Sequence, residues 1–320
     1  MDEMISRRSL LVHAGTGIGT GILAGCVTGT CPAEENGQDG ERQPFRFCLN
    51  TGTISGHKLS LVEEVEVTAR AGYSGIEPWI RKLREYTEQG NSLDDLRKRI
   101  SDLGLTIESA IGFPRWAVDD DEQRRAALDE FKRDMDMLSQ IGGTRIAAPP
   151  AGINRTPGMD LAKIAERYRA VLELGREMQV IPQLEIWGSA QTLGRVGEAA
   201  LVAIQANDPD ACLLLDAFHL YKGGSGFDGL RLLNGAAMHV FHINDYPADP
   251  PRDQINDSHR VYPGDGVCPL GPILRDLYQT GFRGALSLEL FNRDYWQQDV
   301  QQVARTGLEK TQEAAEKAMP

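Results

Sequence analysis

Four short apolar runs in the second half of the chain each end on a side chain able to bind a metal ion, and this pattern limits the fold more than any other feature. They are Ile181-Pro-Gln-Leu-Glu185, Leu213-Leu-Leu-Asp216, Met238-His-Val-Phe-His242 and Ala285-Leu-Ser-Leu-Glu289. A buried parallel strand reads as a continuous apolar run, and α/β barrels keep their chemistry at strand C-termini. From Phe45 onward the whole chain alternates between the two kinds of segment. Strands are expected at 45–54, 75–79, 105–111, 144–148, 181–185, 211–216, 238–244 and 284–290. Helices are expected at 59–71, 93–103, 121–141, 160–179, 193–205, 229–234, 270–280 and 299–318. Eight such units predict a single-domain α/β fold, a (β/α)8 TIM barrel over 45–320, a typical length of about 250 residues. A doubly wound sheet would call for a GxGxxG turn after the first strand, which the sequence lacks.

Glu185, Asp216, His242 and Glu289 thus fall at the ends of strands five to eight. One such carboxylate is ordinarily a helix cap or half of an ion pair. Four in register would be costly to bury unpaired, and a shared divalent cation answers that cost. Three carboxylates and one imidazole form an oxygen-rich ligand set that suits Mn²⁺ first, then Mg²⁺ or Co²⁺. Zn²⁺, which favours sulfur- or nitrogen-richer tetrahedral sets, is not excluded. His219, three residues beyond Asp216, is placed to hydrogen-bond substrate. Glu77, at the end of the second strand, is a candidate to meet substrate hydroxyls. Trp187 and Trp116, with Trp79, Phe113 and Phe218, are candidates for the apolar wall of a sugar pocket.

A net charge of −12 argues against nucleic acid as a partner. No run of about 20 apolar residues indicates a membrane span. The N-terminus reads as an address: Arg7-Arg8 precedes a weakly apolar, glycine-rich stretch that ends Leu23-Ala-Gly-Cys26. Residues 1–26 are expected to be a twin-arginine, lipoprotein-type signal with Cys26 as the lipidated residue. Residues 27–44 are expected to form a flexible linker. The expected location is therefore periplasmic or membrane-anchored, with the lipid as sole membrane contact. The five cysteines include no CxxC pair, and Cys48 and Cys212 read as free core thiols.

Taken together, Glu185-Ile-Trp187, Asp216-Ala-Phe-His219, His242-Ile-Asn-Asp245, Pro263-Gly-Asp-Gly266 and Leu288-Glu-Leu-Phe291 resemble the xylose isomerase-like barrel superfamily. The similarity is to its sugar-phosphate isomerase/epimerase branch, which holds ketose 3-epimerases, inosose dehydratases and hydroxypyruvate isomerases. It runs from Phe45 to about Ala318. The resemblance implies a metal held by Glu185, Asp216, His242 and Glu289, with the two glutamates also acting as catalytic acid and base. It implies substrate contacts from His219 and from Arg260, the arginine nearest the family's position, although the 246–262 segment is longer than in compact epimerases.

The chemistry that needs these groups is proton abstraction α to a carbonyl. The enediolate it creates must be stabilised, which a divalent ion does as a Lewis acid, while one carboxylate removes the proton and another returns it. The expected activity is a metal-dependent sugar isomerase or epimerase. Loss of a β-hydroxyl from the same enediolate makes a keto-sugar or inosose dehydratase the alternative. A nuclease of this fold would need more histidines and a basic face, and a sugar-binding lipoprotein would not need paired glutamates. The expected partner is a small sugar or keto-sugar, and a homo-oligomer is left open.

Overall fold

The computed structural model describes residues 44–319. The expectations for the signal at 1–26, for Cys26 and for almost all of the 27–44 linker lie outside these residues. Among the described residues no helix is long and apolar enough to cross a membrane.

Eight strands form one parallel sheet: β1 (Arg46–Asn50), β2 (Gly75–Glu77), β3 (Thr106–Ile107), β4 (Arg145–Ala148), β5 (Ile181–Glu185), β6 (Leu213–Asp216), β7 (Met238–Ile243) and β8 (Ala285–Leu288). Their order is β3-β2-β1-β8-β7-β6-β5-β4. The ring closes where the Ala147 amide of β4 donates to the Ala110 carbonyl, just past β3, at 2.9 Å. This is the (β/α)8 barrel expected from the alternation of segments.

The two-residue period of a strand decides what enters the barrel. Cys48, Ala147, Leu214, Val240 and Ala285 belong to one buried cluster, whereas their neighbours Phe47, Leu49, Leu213, Leu215 and Phe241 pack in the larger cluster with the helices. Two residues beyond the inner positions lie Asn50, Asp216 and His242, and four beyond Ala285 lies Glu289. The polar ends therefore share the inward face. Gly75 belongs to this lining as well, and a Cβ there would lie 2.7 Å from Glu108 Cγ and 3.2 Å from Cys48 Cβ.

The surrounding helices are α1 (Leu61–Ala71), α2 (Ile80–Glu88), α3 (Leu93–Asp102), α4 (Asp121–Gln140), α5 (Leu161–Met178), α6 (Val196–Ala206), α7 (Ala217–Gly223), α8 (Leu270–Gln279) and α9 (Val300–Ala318). Most start at a side-chain cap: Ser60 and Glu63 form a capping box on α1, and Asp120, Asp160 and Asp299 cap α4, α5 and α9.

Three local expectations are corrected. Residues 51–54, expected as the end of a strand, belong to a 3-10 helix (Thr51–His57) because the Asn50 side chain accepts from the Gly52 amide and turns the chain. Helices α2 and α7 are absent from the sequence reading; α2 starts after Pro78-Trp79, just past β2, and α7 begins directly at the end of β6. For α7 the cap is Asp216 itself, whose carboxylate accepts from the His219 amide at 2.8 Å.

Candidate metal centre and its cavity

Asp216, His242 and Glu289 each direct one ligand atom to a common point, all within 4.8 Å of one another and all buried. Strand register produces this: Asp216 is opposite His242, and His242 opposite Ser287, two residues before Glu289. The imidazole is fixed from behind. His242 Nε2 lies 2.9 Å from Glu77 Oε2, which also accepts from Ser287 Oγ at 2.8 Å and Asn50 Nδ2 at 2.9 Å. This leaves Nδ1 facing Glu289 Oε2 at 3.5 Å and Asp216 Oδ2 at 3.8 Å, with no hydrogen-bond partner.

An unpartnered, buried imidazole nitrogen between two carboxylates fits a divalent cation, and a carboxylate behind the histidine is the usual support for such a ligand. Without a cation the electrostatics are strained in the corresponding way. Burial pushes the His242 pKa down, but Glu77, Glu289 and Asp216 outweigh it and raise it to about 10. Burial raises Glu77 too, yet the charge and hydrogen bond of His242 bring its carboxyl below the ordinary range.

Glu185 does not join the other three. It lines the same cavity, but its Oε1 is taken by the indole N–H of Trp187 at 2.9 Å, and its Oε2 is buried without a partner. Burial, with the negative charge of Glu289 and Asp216 adding to it against His242, raises its pKa to about 8. Of the four residues expected from sequence to hold a metal, three thus converge on one point and the fourth, Glu185, is held on the cavity wall.

Arg260 occupies a different place from the one expected. It is fully buried, and none of its three nitrogens is free for a substrate. Nη1 donates to Asp216 Oδ2 and to Glu289 Oε2, both at 2.8 Å. Nε and Nη2 donate to Asp257 Oδ1 at 3.1 and 2.6 Å, and Nη2 lies 3.2 Å from His219 Nε2. The guanidinium is centred 4.8 Å from the Phe218 ring and 5.3 Å from that of Phe291. It serves as internal counter-ion to two carboxylates of the ligand set. The strand-like residues that carry it pair back onto β7 through an antiparallel bridge, Asp245 to Val261. Asp245 holds the following turn by accepting from the Gly264, Gly266 and Cys268 amides at 3.0, 3.1 and 2.8 Å.

His219 lines the cavity as expected. Burial lowers its pKa to about 4, against the pull of Asp216, so at neutral pH its Nε2 accepts the Arg260 N–H. Trp187 lines the cavity too. Glu77 does not: it is enclosed behind His242 and orients the ring, so its expected substrate contact is corrected to a supporting one. Trp116 is corrected as well. It is buried in the core, with its indole N–H donating to the Pro149 carbonyl at 2.8 Å and its ring 5.9 Å from Tyr168.

The cavity has a volume of about 220 Å³. Aromatic rings form its wall in an unbroken arc: Trp187 to Phe113 at 6.0 Å, Phe113 to Trp79 at 5.3 Å, Trp79 to Phe291 at 6.1 Å. Sequence reasoning missed Asn50, which links Glu77 to Glu289 Oε1 (2.9 and 3.1 Å) and accepts the Trp79 indole N–H at 3.0 Å. It also missed Asn244, which donates to Asp216 Oδ2 at 3.0 Å. Asn50 does show a signal, a polar residue ending an apolar run. Asp257 opens a short 3-10 turn (Asp257–His259) inside the 246–262 segment and shows none.

The family model described as xylose isomerase-like TIM barrel matches residues 65–314. An inosose isomerase of Bacillus velezensis is 26% identical over 280 residues, covering 85% of this chain and 98% of that protein. A 3-dehydroshikimate dehydratase of Pseudomonas aeruginosa is 28% identical over 289 residues, covering 85% of this chain but 43% of that longer protein. Among solved structures, the IolI protein with a bound zinc atom superposes with a TM-score of 0.79 at 24% identity, covering 86% of this chain and 99% of its own. An L-ribulose 3-epimerase does so with a TM-score of 0.68 at 19% identity, covering 86% and 95%. Both likenesses concern the fold.

Proposed function

The chain belongs to the xylose isomerase-like TIM barrel family, and from that premise we propose that it is a metal-dependent isomerase or epimerase of a small polyhydroxy ketone. The observation that carries this reading is that Glu185 and Glu289, two carboxyl groups with raised pKa, face one cavity, and that Glu289 converges there with Asp216 and His242 as a potential metal ligand. The curated relatives include isomerases, dehydratases and epimerases.

Asp216, His242 and Glu289 would hold one divalent cation, with Glu185 beside them on the cavity wall. Manganese is the first expectation for this oxygen-rich set, with magnesium, cobalt or zinc as alternatives. When bound, the ion supplies Lewis-acid polarisation of the ketone. The protein's own groups do the rest. Glu289 is fixed at both oxygens, by Asn50 and Arg260, and suits a base that must keep its position. Glu185 has one free oxygen and a pKa of about 8, so near neutrality it carries a proton to deliver from the cavity wall. Brønsted behaviour favours a near-neutral group such as Glu185. The aromatic arc excludes water from the carbon being deprotonated.

The similarity to a dehydratase favours a second reading, in which the same proton abstraction is followed by loss of a β-hydroxyl. Incubating metal-loaded protein with a panel of keto-polyols in D₂O tests both. Deuterium at the α carbon with unchanged product formula supports isomerisation or epimerisation. Loss of 18 mass units supports dehydration. Neither result with any substrate would overturn the reading.

We also propose that the chain is exported and anchored through Cys26, on the strength of Arg7-Arg8 and Leu23-Ala-Gly-Cys26.

A further inference from the structure

We propose that the end of the barrel opposite the metal centre is a lipid-facing surface, where an apolar groove beside α6 rests on the bilayer that holds Cys26. This rests on the anchoring reading above and goes beyond it, by assigning which face of the barrel meets the membrane. The groove has a volume of about 620 Å³, against about 220 Å³ for the cavity at the metal centre. Its walls include Ala203, Ile204, Leu213, Leu232, Leu233 and Ala237. Leu213 is the first residue of β6, and Ala237 directly precedes β7. Parallel strands of a barrel all start at one end, and the metal ligands lie at the other.

Helix α6 is apolar on both sides. Ala199, Val202 and Ala206 are buried against the barrel. Gly197, Ala200, Leu201 and Ile204 recur at three- and four-residue spacing on the other side, and Glu198 in the first turn is the helix's one charged residue. A helix apolar all round is ordinarily covered all round. Yet Ile204 is 75% exposed, and Leu232, another wall of the groove, is 86% exposed. Large apolar side chains gathered in the open mark a contact surface.

The place where the chain enters the barrel says what covers it. The Phe45 ring lies 5.7 Å from that of Phe282, and Phe282 packs so closely on Gly235 that a Cβ there would lie 2.1 Å from its amide nitrogen. Gly235 opens the short turn Gly235–Ala237 that borders the groove. The 18 residues between Cys26 and Phe45 span at most roughly 60 Å. A lipid on Cys26 therefore keeps this end near the bilayer, at an effective concentration of about a millimolar. A contact too weak to retain unanchored protein persists under that tether. Charge does not oppose it locally, because Arg176 holds Asp208 on the rim at 2.6 Å and its neighbour Asp210 at 2.9 Å. With this end on the membrane, the cavity at the metal centre faces water, from which a soluble substrate arrives.

The anchored protein, purified from membranes, is reconstituted in phosphatidylcholine vesicles whose acyl chains carry bromine, a contact quencher of tryptophan. Leu232→Trp is expected to add emission that the brominated lipid quenches by at least about half, as for a side chain set roughly 5–10 Å into the headgroup boundary. Val267→Trp, at a 55% exposed position in the turn after β7, is expected to add emission that stays unquenched. Ile204→Asp combined with Leu232→Trp is expected to abolish the quenching while Mn²⁺ affinity, the sign of an intact barrel, is unchanged. Absence of quenching for Leu232→Trp in protein whose mass shows lipid on Cys26 would overturn the proposal and leave the anchor standing. Equal quenching for Val267→Trp would show no preferred face and overturn it too. A dimer in detergent that Ile204→Asp dissolves, without quenching in vesicles, would give the groove to a second copy of the chain and overturn it. Cys26 without lipid would remove the anchor and the proposal together.

Discussion

His242 Nε2 lies 2.9 Å from Glu77 Oε2, with both side chains fully buried. This contact fixes which ring nitrogen faces the centre, because Nε2 is committed to Glu77 and Nδ1 is left toward Asp216 and Glu289. Supporting carboxylates of this kind typically set metal affinity within a factor of about 10–100. Glu77→Gln is therefore expected to weaken Mn²⁺ binding by about that factor while the protein stays folded. Metal titration followed by calorimetry, with circular dichroism as the folding control, measures it. Undiminished affinity would mean that the ring is oriented by something else.

Glu185→Gln should lower turnover by at least about a hundredfold, the lower end of general acid–base effects, and should leave metal binding largely intact because Glu185 is not among the converging ligands. Glu289→Gln should damage both. Paired measurements of kcat and metal Kd separate the two roles. A Glu185 variant that loses metal and activity together would place it in the ligand set after all.

Arg260→Met removes the guanidinium that Asp216, Glu289 and Asp257 share. Breaking a buried ion pair on one side typically costs about 3–5 kcal/mol, and that loss is expected in EDTA. With Mn²⁺ present the loss should shrink, since the cation answers Asp216 and Glu289 in its place. Urea unfolding under both conditions reads the difference. An equal loss would show that guanidinium and cation do not share those oxygens.

Glu64 on α1 supplies a pH dependence away from the site. Burial raises its pKa from 4.5 to about 7, only partly opposed by Lys82 at 3.9 Å. The folded state then binds more protons than the unfolded state between these values. The stability this gives is fully present below pH 4.5 and is lost as pH rises through about 7. Glu64→Gln should therefore gain on the parent protein by up to about 3 kcal/mol between pH 4 and pH 8. Denaturant unfolding across that range tests the sign, and a gain toward low pH would refute it.

Arg7→Lys combined with Arg8→Lys is expected to block export, and Cys26→Ser to release the mature protein from the membrane fraction. Cell fractionation decides this. Unchanged distribution of both variants would remove the export reading.

The barrel and the positions of its site were legible in the sequence because both follow from local periodicity. A buried strand must be apolar on both faces until its end. The side chains at Asp216, His242 and Glu289 share the inward parity of Leu214, Val240 and Ala285, so a run of letters was enough to aim them at one point. The two-residue period also shows that Asn50 belongs with them. What each group touches is another matter, because a hydrogen bond or ion pair depends on separations that strand spacing does not encode. Glu77 and His242 are 165 residues apart, and Arg260 reaches Asp216 across 44. Only the closed ring brings β2 against the end of β7, turning Glu77 from a candidate substrate contact into the support of a ligand. Only the folded 246–262 segment carries Arg260 inward, where the loss of water forces its charge to be met by neighbouring carboxylates and not by a substrate. Sequence determined which side chains line the barrel, since backbone geometry repeats every two residues. Tertiary structure decided their partners, since burial makes every charge find one at whatever distance along the chain it lies.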